Sequence, residues 1–308
     1  MNKKERVLAA LRGEEVDRPP FSFWYHFGLQ HMRGTAHAHA EVDFYKAYDL
    51  DFIKVMNDYP YPMPAAIQAV ESEDNWKRLE PVGGDDDCWS EELTALSQIN
   101  DTVGKEAMFI ETIFSPWTTA RRLAKSGFLK QSISSFPETV LKAMDAISTS
   151  LANYAKQAVA RGASGIFLSL GAATDDVMPA EKYKTFCRPF DLKILNAVSD
   201  APFNVVHVHG NRIHFDSVRD YPASAFNWSH YATAPSLKTG KELLKRTVMG
   251  GINEATASHV SAPEIAKQVK DTIEAVGTRG LIITPGCSVP TDTAVRNLKA
   301  VKESIGTA

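Results

Sequence analysis

Short apolar runs alternate with longer amphipathic ones along most of this chain. Phe21 to Trp24, Asp51 to Met56, Ala107 to Ile113, Gly165 to Leu170, Phe203 to Val208, Ser224 to Trp228, Val248 to Ile252 and Leu281 to Thr284 are short and largely apolar. They predict eight strands. Helical patterns lie between them, near Pro116 to Lys125, Pro137 to Arg161, Ala180 to Val198, Ile213 to Arg219, Leu237 to Leu244, Ala262 to Val276 and Thr291 to Ser304. Upstream, Val7, Leu8 and Leu11 at helical spacing before Gly13 predict a short helix, which Pro19 and Pro20 separate from the first strand. Asp43 to Asp49 reads as one more helix, with the histidine-bearing tract HMRGTAHAHA before it as a polar loop. The rhythm fails between residues 59 and 106, where four prolines, the Gly83-Gly84 turn and the run Asp85 to Asp87 predict an irregular insertion, at about 60–106, that rims a site.

Eight repeated βα units predict an α/β fold of the (β/α)8 TIM-barrel type, a single domain over residues 1–308. A doubly wound open sheet is the alternative. No G-x-G-x-x-G follows an early strand, however, and no G-x-x-x-x-G-K-[ST] phosphate loop is present.

The barrel generates its own site list, because active sites of this fold lie at the C-terminal strand ends. In chain order these ends offer Tyr25 and His26, Asp58, Ser115 and Trp117, Thr174 to Asp176, His207 and His209, Trp228, Asn253 and Glu254, and Cys287. Side chains alternate along a strand, so His207 and His209 share one face, with Val206 and Val208 opposite. With Cys287 at the last strand end they form a candidate metal-ligating cluster. The bland alternative is a strand cap and a pocket-lining imidazole, with Cys287 a buried inert thiol. Asp58 is read as a catalytic carboxylate or a turn cap. Glu254 is read as a fourth ligand, a general acid/base or a capping carboxylate. Trp117 and Trp228 are read as cleft walls or core. Asp175 and Asp176 are adjacent and point differently, so one at most faces a site. His31, His37 and His39 are read as a loop rather than a metal tract.

Charge narrows the partner. Thirty-four basic against 37 acidic residues give a net −3, which argues against nucleic acid or an anionic membrane and leaves a small molecule. Three widely separated cysteines do not form a disulfide framework and fit a reducing cytoplasm. The start MNKKERVLAALRGEE lacks the apolar segment of a signal peptide, and no run of about 18 apolar residues occurs.

Several segments resemble the superfamily of uroporphyrinogen decarboxylase and the cobalamin-linked methyltransferases that share its barrel. ALRGEEVDRPP (Ala10 to Pro20) is similar to its N-terminal signature, and SPWT (Ser115 to Thr118) to its motif after the third strand. GGINE (Gly250 to Glu254) and PGCSVPTDTAVRNLKA (Pro285 to Ala300) are similar to its last two strand ends. For the decarboxylases the resemblance implies two carboxylate-binding arginines after the first strand, but the positions aligned by Gly28 are Tyr25 and Leu29. Arg122 stands where a tyrosine is expected, and Cys287 lies where a histidine is. Asp58 matches the aspartate that holds the pyrrole N–H groups.

For the methyltransferases the resemblance implies a zinc site of the form His-x-Cys and a later Cys. Here the match is His207, His209 and, with 77 residues between, Cys287, with imidazole replacing one thiolate. The first expectation is therefore a methyltransferase with zinc on His207, His209 and Cys287 and a corrinoid methyl donor on a separate protein. Its catalytic candidates are Asp58 and Glu254, and Tyr25, His26, Trp117, Arg122, Asp175 and Trp228 are its candidate substrate-binding side chains. The second is a decarboxylase of uroporphyrinogen type centred on Asp58. A third is a non-catalytic small-molecule binder on the same barrel. The resemblance also implies a homodimer.

Overall fold

A computed structural model describes residues 1–306. Seven strands form one parallel sheet in chain order: β1 (Phe52–Val55), β2 (Met108–Phe114), β3 (Ile166–Leu170), β4 (Val205–Val208), β5 (Ala225–Trp228), β6 (Thr247–Ile252) and β7 (Leu281–Pro285). Every neighbouring pair is parallel, so each return must cross over the outside, and helices fill those returns. The long ones are Ser90–Val103, Pro137–Ala160, Arg188–Ala197, Leu237–Leu244 and Ala262–Val276.

The sheet closes where the sequence predicts its first strand, but through one residue instead of four. Phe21 makes an isolated parallel bridge to Ile283 of β7. On its other side the Asp51 N–H donates to the Phe21 carbonyl at 3.0 Å, at the start of β1. Pro19 and Pro20 have no N–H to give, so the ladder cannot extend upstream. The expected eight-stranded barrel is thus seven strands and a single-residue seam. Asp51 is fully buried at that seam and accepts from Arg6 at 2.7 Å, Arg18 at 2.6 Å and the Phe21 N–H at 2.9 Å.

Strand alternation divides the core in two. Phe52, Met56, Ile110, Phe167, Val205, Met249 and Ile282 fill the barrel, and Val7 and Ala10 of the helix Lys3–Leu11 pack against them. The opposite strand faces pack on the outer helices in the larger core cluster.

Two sequence readings need correction here. The helix expected over Asp43 to Asp49 starts at Gly34, so His37 and His39 are helical. The expected irregular stretch contains the 14-residue helix Ser90–Val103, packed against that same helix. The reason is tertiary. A Cβ at Gly34 would lie 1.8 Å from the Glu91 carbonyl oxygen, so glycine permits close helix contact. Across the contact His37 Nδ1 meets Glu92 at 2.9 Å, and its Nε2 lies 3.5 Å from Glu41. His31 and His39 are exposed, which dissolves any histidine metal tract.

Burial alone would lower the His37 pKa, but its hydrogen bonds to Glu41 and Glu92 outweigh that and raise it to about 11. A raised basic pKa adds stability that is complete below the unfolded value of about 6.5 and disappears as pH climbs through the folded one. His37→Ala leaves Glu92 buried without its cation and is expected to cost about 3–5 kcal/mol, against under about 0.5 kcal/mol for His39→Ala. Urea denaturation at pH 7 measures both, and equal losses would refute the buried pair.

Candidate metal centre

The barrel mouth brings three donor side chains together. His207, His209 and Cys287 each offer a ligand atom, and those atoms all lie within 4.8 Å of one another. Both histidines project inward while Val206 and Val208 pack outside, as strand alternation requires. Cys287 follows β7 in the turn after Gly286, with its Sγ 3.8 Å from His209 Nδ1. Two nitrogens and a sulfur with room for a further ligand match the usual donor chemistry of zinc.

The surroundings fix the protonation of this triad. Asn227, paired with His207 across β4 and β5, donates its amide N–H groups to the Met249 carbonyl at 3.0 Å and the Pro285 carbonyl at 3.0 Å. Carbonyls only accept, so the amide orientation is determined and Oδ1 must accept from His207 Nδ1–H at 2.6 Å. His207 therefore turns Nε2 rather than Nδ1 toward the triad, and that nitrogen offers its lone pair to a metal once its proton is lost. Burial opposes a thiolate at Cys287, but hydrogen bonds from His207 and His209 prevail and lower its pKa to about 4. His209 is raised in turn, chiefly by its hydrogen bond to Cys287.

A chamber of about 220 Å³ surrounds the triad and is also lined by Trp24, His26, Lys54, Arg121 and Arg122. Asp58 accepts from His26 Nδ1 at 2.9 Å, so that imidazole is oriented by a carboxylate. Lys54 is buried, its Nζ 4.7 Å from the Phe167 ring centroid and 5.4 Å from that of Trp24, with Met56 Sδ as its hydrogen-bond acceptor. Desolvation lowers its pKa to about 8.

Of the residues expected at the site, His26, Arg122, His207, His209 and Cys287 meet in this chamber, with Asp58 behind His26. Glu254 stands one layer back, accepting from Ser229 and from the Gly286 N–H at 3.0 Å, so it holds the turn that carries Cys287. Four expected residues lie elsewhere. Trp228 is wholly buried on the outer sheet face against Phe215 and Gly240, because alternation turns Asn227 inward in its place. Trp117 faces the core from the first turn of its helix, leaving Thr118, Arg121 and Arg122 toward the chamber. Tyr25 packs on Phe27 and Phe44. Asp175 is exposed beside His214. Sequence reasoning missed Lys54 and Asn227, each a polar residue inside an apolar strand, which is the signal that marks them.

The fold and its mouth define an enzyme scaffold of the parallel α/β-barrel class carrying a nitrogen–sulfur ligand set. The pattern of the family described as Uroporphyrinogen decarboxylase (URO-D) matches residues 55–307, and the chain belongs to that family. Among solved structures it resembles a methyltransferase from Methanosarcina mazei, at 19% identity and a TM-score of 0.78 over 100% of this chain and 99% of that one. It also resembles a B12-independent methionine synthase from Shewanella sp. W3-18-1, at 13% identity and a TM-score of 0.53 over 70% and 65% of the two chains. These identities speak for the fold alone. No curated protein matches the chain. No helix among the described residues is long and apolar enough to cross a membrane.

The thiolate makes a prediction. In chelator-treated protein, iodoacetamide alkylates Cys287 at a rate that stays flat from about pH 6 to 8, because its pKa lies near 4. Cys88, whose pKa burial raises, accelerates across that range instead. Peptide mapping separates the two, and a Cys287 rate that climbs tenfold per pH unit would disprove the thiolate.

Proposed function

We propose that this protein transfers a methyl group to a small-molecule nucleophile such as a thiol, with zinc held by His207, His209 and Cys287. The methyl donor in this reading is a corrinoid carried on a separate protein. The observation that carries it is the convergence of those three donor atoms at the barrel mouth. Whole-length fold similarity to the Methanosarcina methyltransferase supplies the scaffold but not the chemistry.

Bound zinc would supply Lewis acidity that favours the anionic form of the nucleophile. The chain's own residues do the rest. Asn227 fixes the His207 ring, and Glu254 fixes the Cys287 turn through Gly286. Asp58 occupies His26 Nδ1, which leaves Nε2 to take the proton that the nucleophile loses. Trp24 and Phe167 wall the chamber against water, and the Lys54 ammonium above them favours negative charge there. Two imidazoles and one thiolate leave a divalent ion with net positive charge, so an acceptor activated here is a weaker nucleophile than on two thiolates.

The decarboxylase reading asks for cations that pair with carboxylates at the mouth. Arg188 and Arg212 pair with Asp220 and Asp176 instead, so Arg121 and Arg122, on the helix after β2, are the chamber arginines left to this reading, in place of the pair expected after the first strand.

Two measurements test the proposal. Elemental analysis of untagged protein should find about one zinc per chain, and none in a His207→Ala, Cys287→Ala double variant. Failure of the parent to take up zinc even when supplied would sink the mechanism. With zinc present, methylcobalamin as donor and a panel of thiols, His26→Ala should lower kcat about 10²-fold or more, with part of the loss restored by added imidazole. Asp58→Asn should reproduce part of that loss, and an unchanged kcat in His26→Ala would remove the proposed base.

A further inference from the structure

A second chamber, about 380 Å³ in volume, opens beside the metal chamber, and apart from Asp58 in its wall it takes no part in the steps above. The two share Thr112, Phe114 and Arg122 in their walls, so they adjoin. Its lining is unusually rich in rings. Trp89 stands edge-on to Tyr61 at 6.0 Å between centroids and lies 4.8 Å from Tyr154, and Phe114 completes the wall on the metal side. Flat, π-faced walls favour a planar guest through stacking and edge contacts. A cavity of roughly 150 Å³ suffices for benzene, so this space fits one ring with substituents.

Arg122 is the cation of this wall. Its guanidinium lies over the Phe114 ring, 3.7 Å from the centroid, and among the described residues it makes no ion pair or hydrogen bond. Asp58, the acid of the same lining, is hydrogen-bonded to His26 and attracts Arg122 without forming an ion pair with it. A stacked guanidinium presents its fork of donors edge-on, in the plane that a carboxylate meets with two parallel hydrogen bonds.

From the rings and this unspent fork we infer that the chamber binds a single-ring aromatic carboxylate, its acid group on Arg122. As a substrate class this rests on the methyl-transfer reading, and it places such an acid next to His26 and the metal triad. As a binding site it stands apart from that reading.

Calorimetric titration of the full chain with benzoate, benzamide and cyclohexanecarboxylate tests it. Benzoate is expected to bind once per chain, with benzamide and cyclohexanecarboxylate at least about tenfold weaker, the first lacking the charge and the second the planar ring. Arg122→Met should weaken benzoate about tenfold or more, while Arg188→Met leaves it unchanged. Leu123→Trp, which fills the chamber without altering charge, should abolish binding. The inference is overturned if benzoate does not bind, if cyclohexanecarboxylate binds as well, or if Arg122→Met or Leu123→Trp leaves benzoate affinity intact. The His207→Ala, Cys287→Ala variant separates the two readings, since benzoate affinity should survive the loss of zinc. Zinc uptake without benzoate binding defeats this inference alone, and benzoate binding by a parent that takes up no zinc defeats the methyl-transfer reading alone.

Discussion

The barrel depends on how its two sheet edges meet. Between β7 and β1 the gap is spanned by Pro20 to Ser22, with one bridge at Phe21 and the Ser22 N–H and Oγ reaching Ile283 and Phe52, which is less than a full ladder. Asp51 makes up the deficit. Its buried carboxylate takes a backbone N–H from Phe21 and guanidinium donors from Arg6 and Arg18, tying the N-terminal segment to the base of β1. Charge-assisted bonds out of water are stronger and more directional than backbone bonds, so few of them can replace several. On the outer layer, Lys302 reaches Asp49 at 2.6 Å and joins the last helix to the one before β1. A closed sheet brings β7 back beside the start of the chain, and this closure is what carries Cys287 to the mouth that the histidines of β4 share.

Closure alone would leave the triad loose. Asn227 links β4, β5, β6 and the end of β7 through one amide, so His207 is set by four strands at once. Glu254, after β6, bonds both Ser229 after β5 and the Gly286 backbone. The turn that carries Cys287 and the His207 ring are thus aligned by cross-strand bonds among β4 to β7.

Much of this was legible in the chain. The strand pattern was clear because parallel strands are buried on both faces and stand out as apolar runs. The pairing of His207 with His209 followed from alternation, and Cys287 from its place after the last strand. What escaped depended on contacts between distant segments. The helix from Gly34 draws on a buried ion pair with Glu92, 55 residues away, that no local propensity shows. For Trp228 and Trp117 the sequence leaves cleft wall and core both open, because large aromatics at strand ends suit either face. Register decides between the faces, and register assigns Asn227 to the interior. Lys54 and Asn227 were the polar exceptions within apolar strands, a pattern that favours ligand-facing positions in a barrel.

The same reasoning connects a remote cluster to the mouth. Behind β1 and β2, Glu111 is fully buried and accepts from Asn57 at 2.7 Å and Tyr154 at 2.7 Å, and its own pKa is raised by desolvation. The nearby buried Glu92, also raised by desolvation, is held by His37. Buried acids are costly unless satisfied, so their donors are held firmly. Asn57 is one of those donors and immediately precedes Asp58. The residue that orients His26 therefore extends from a backbone position anchored in the buried network, and Glu92, held by the helix contact outside the barrel, interacts with Glu111 of that same network.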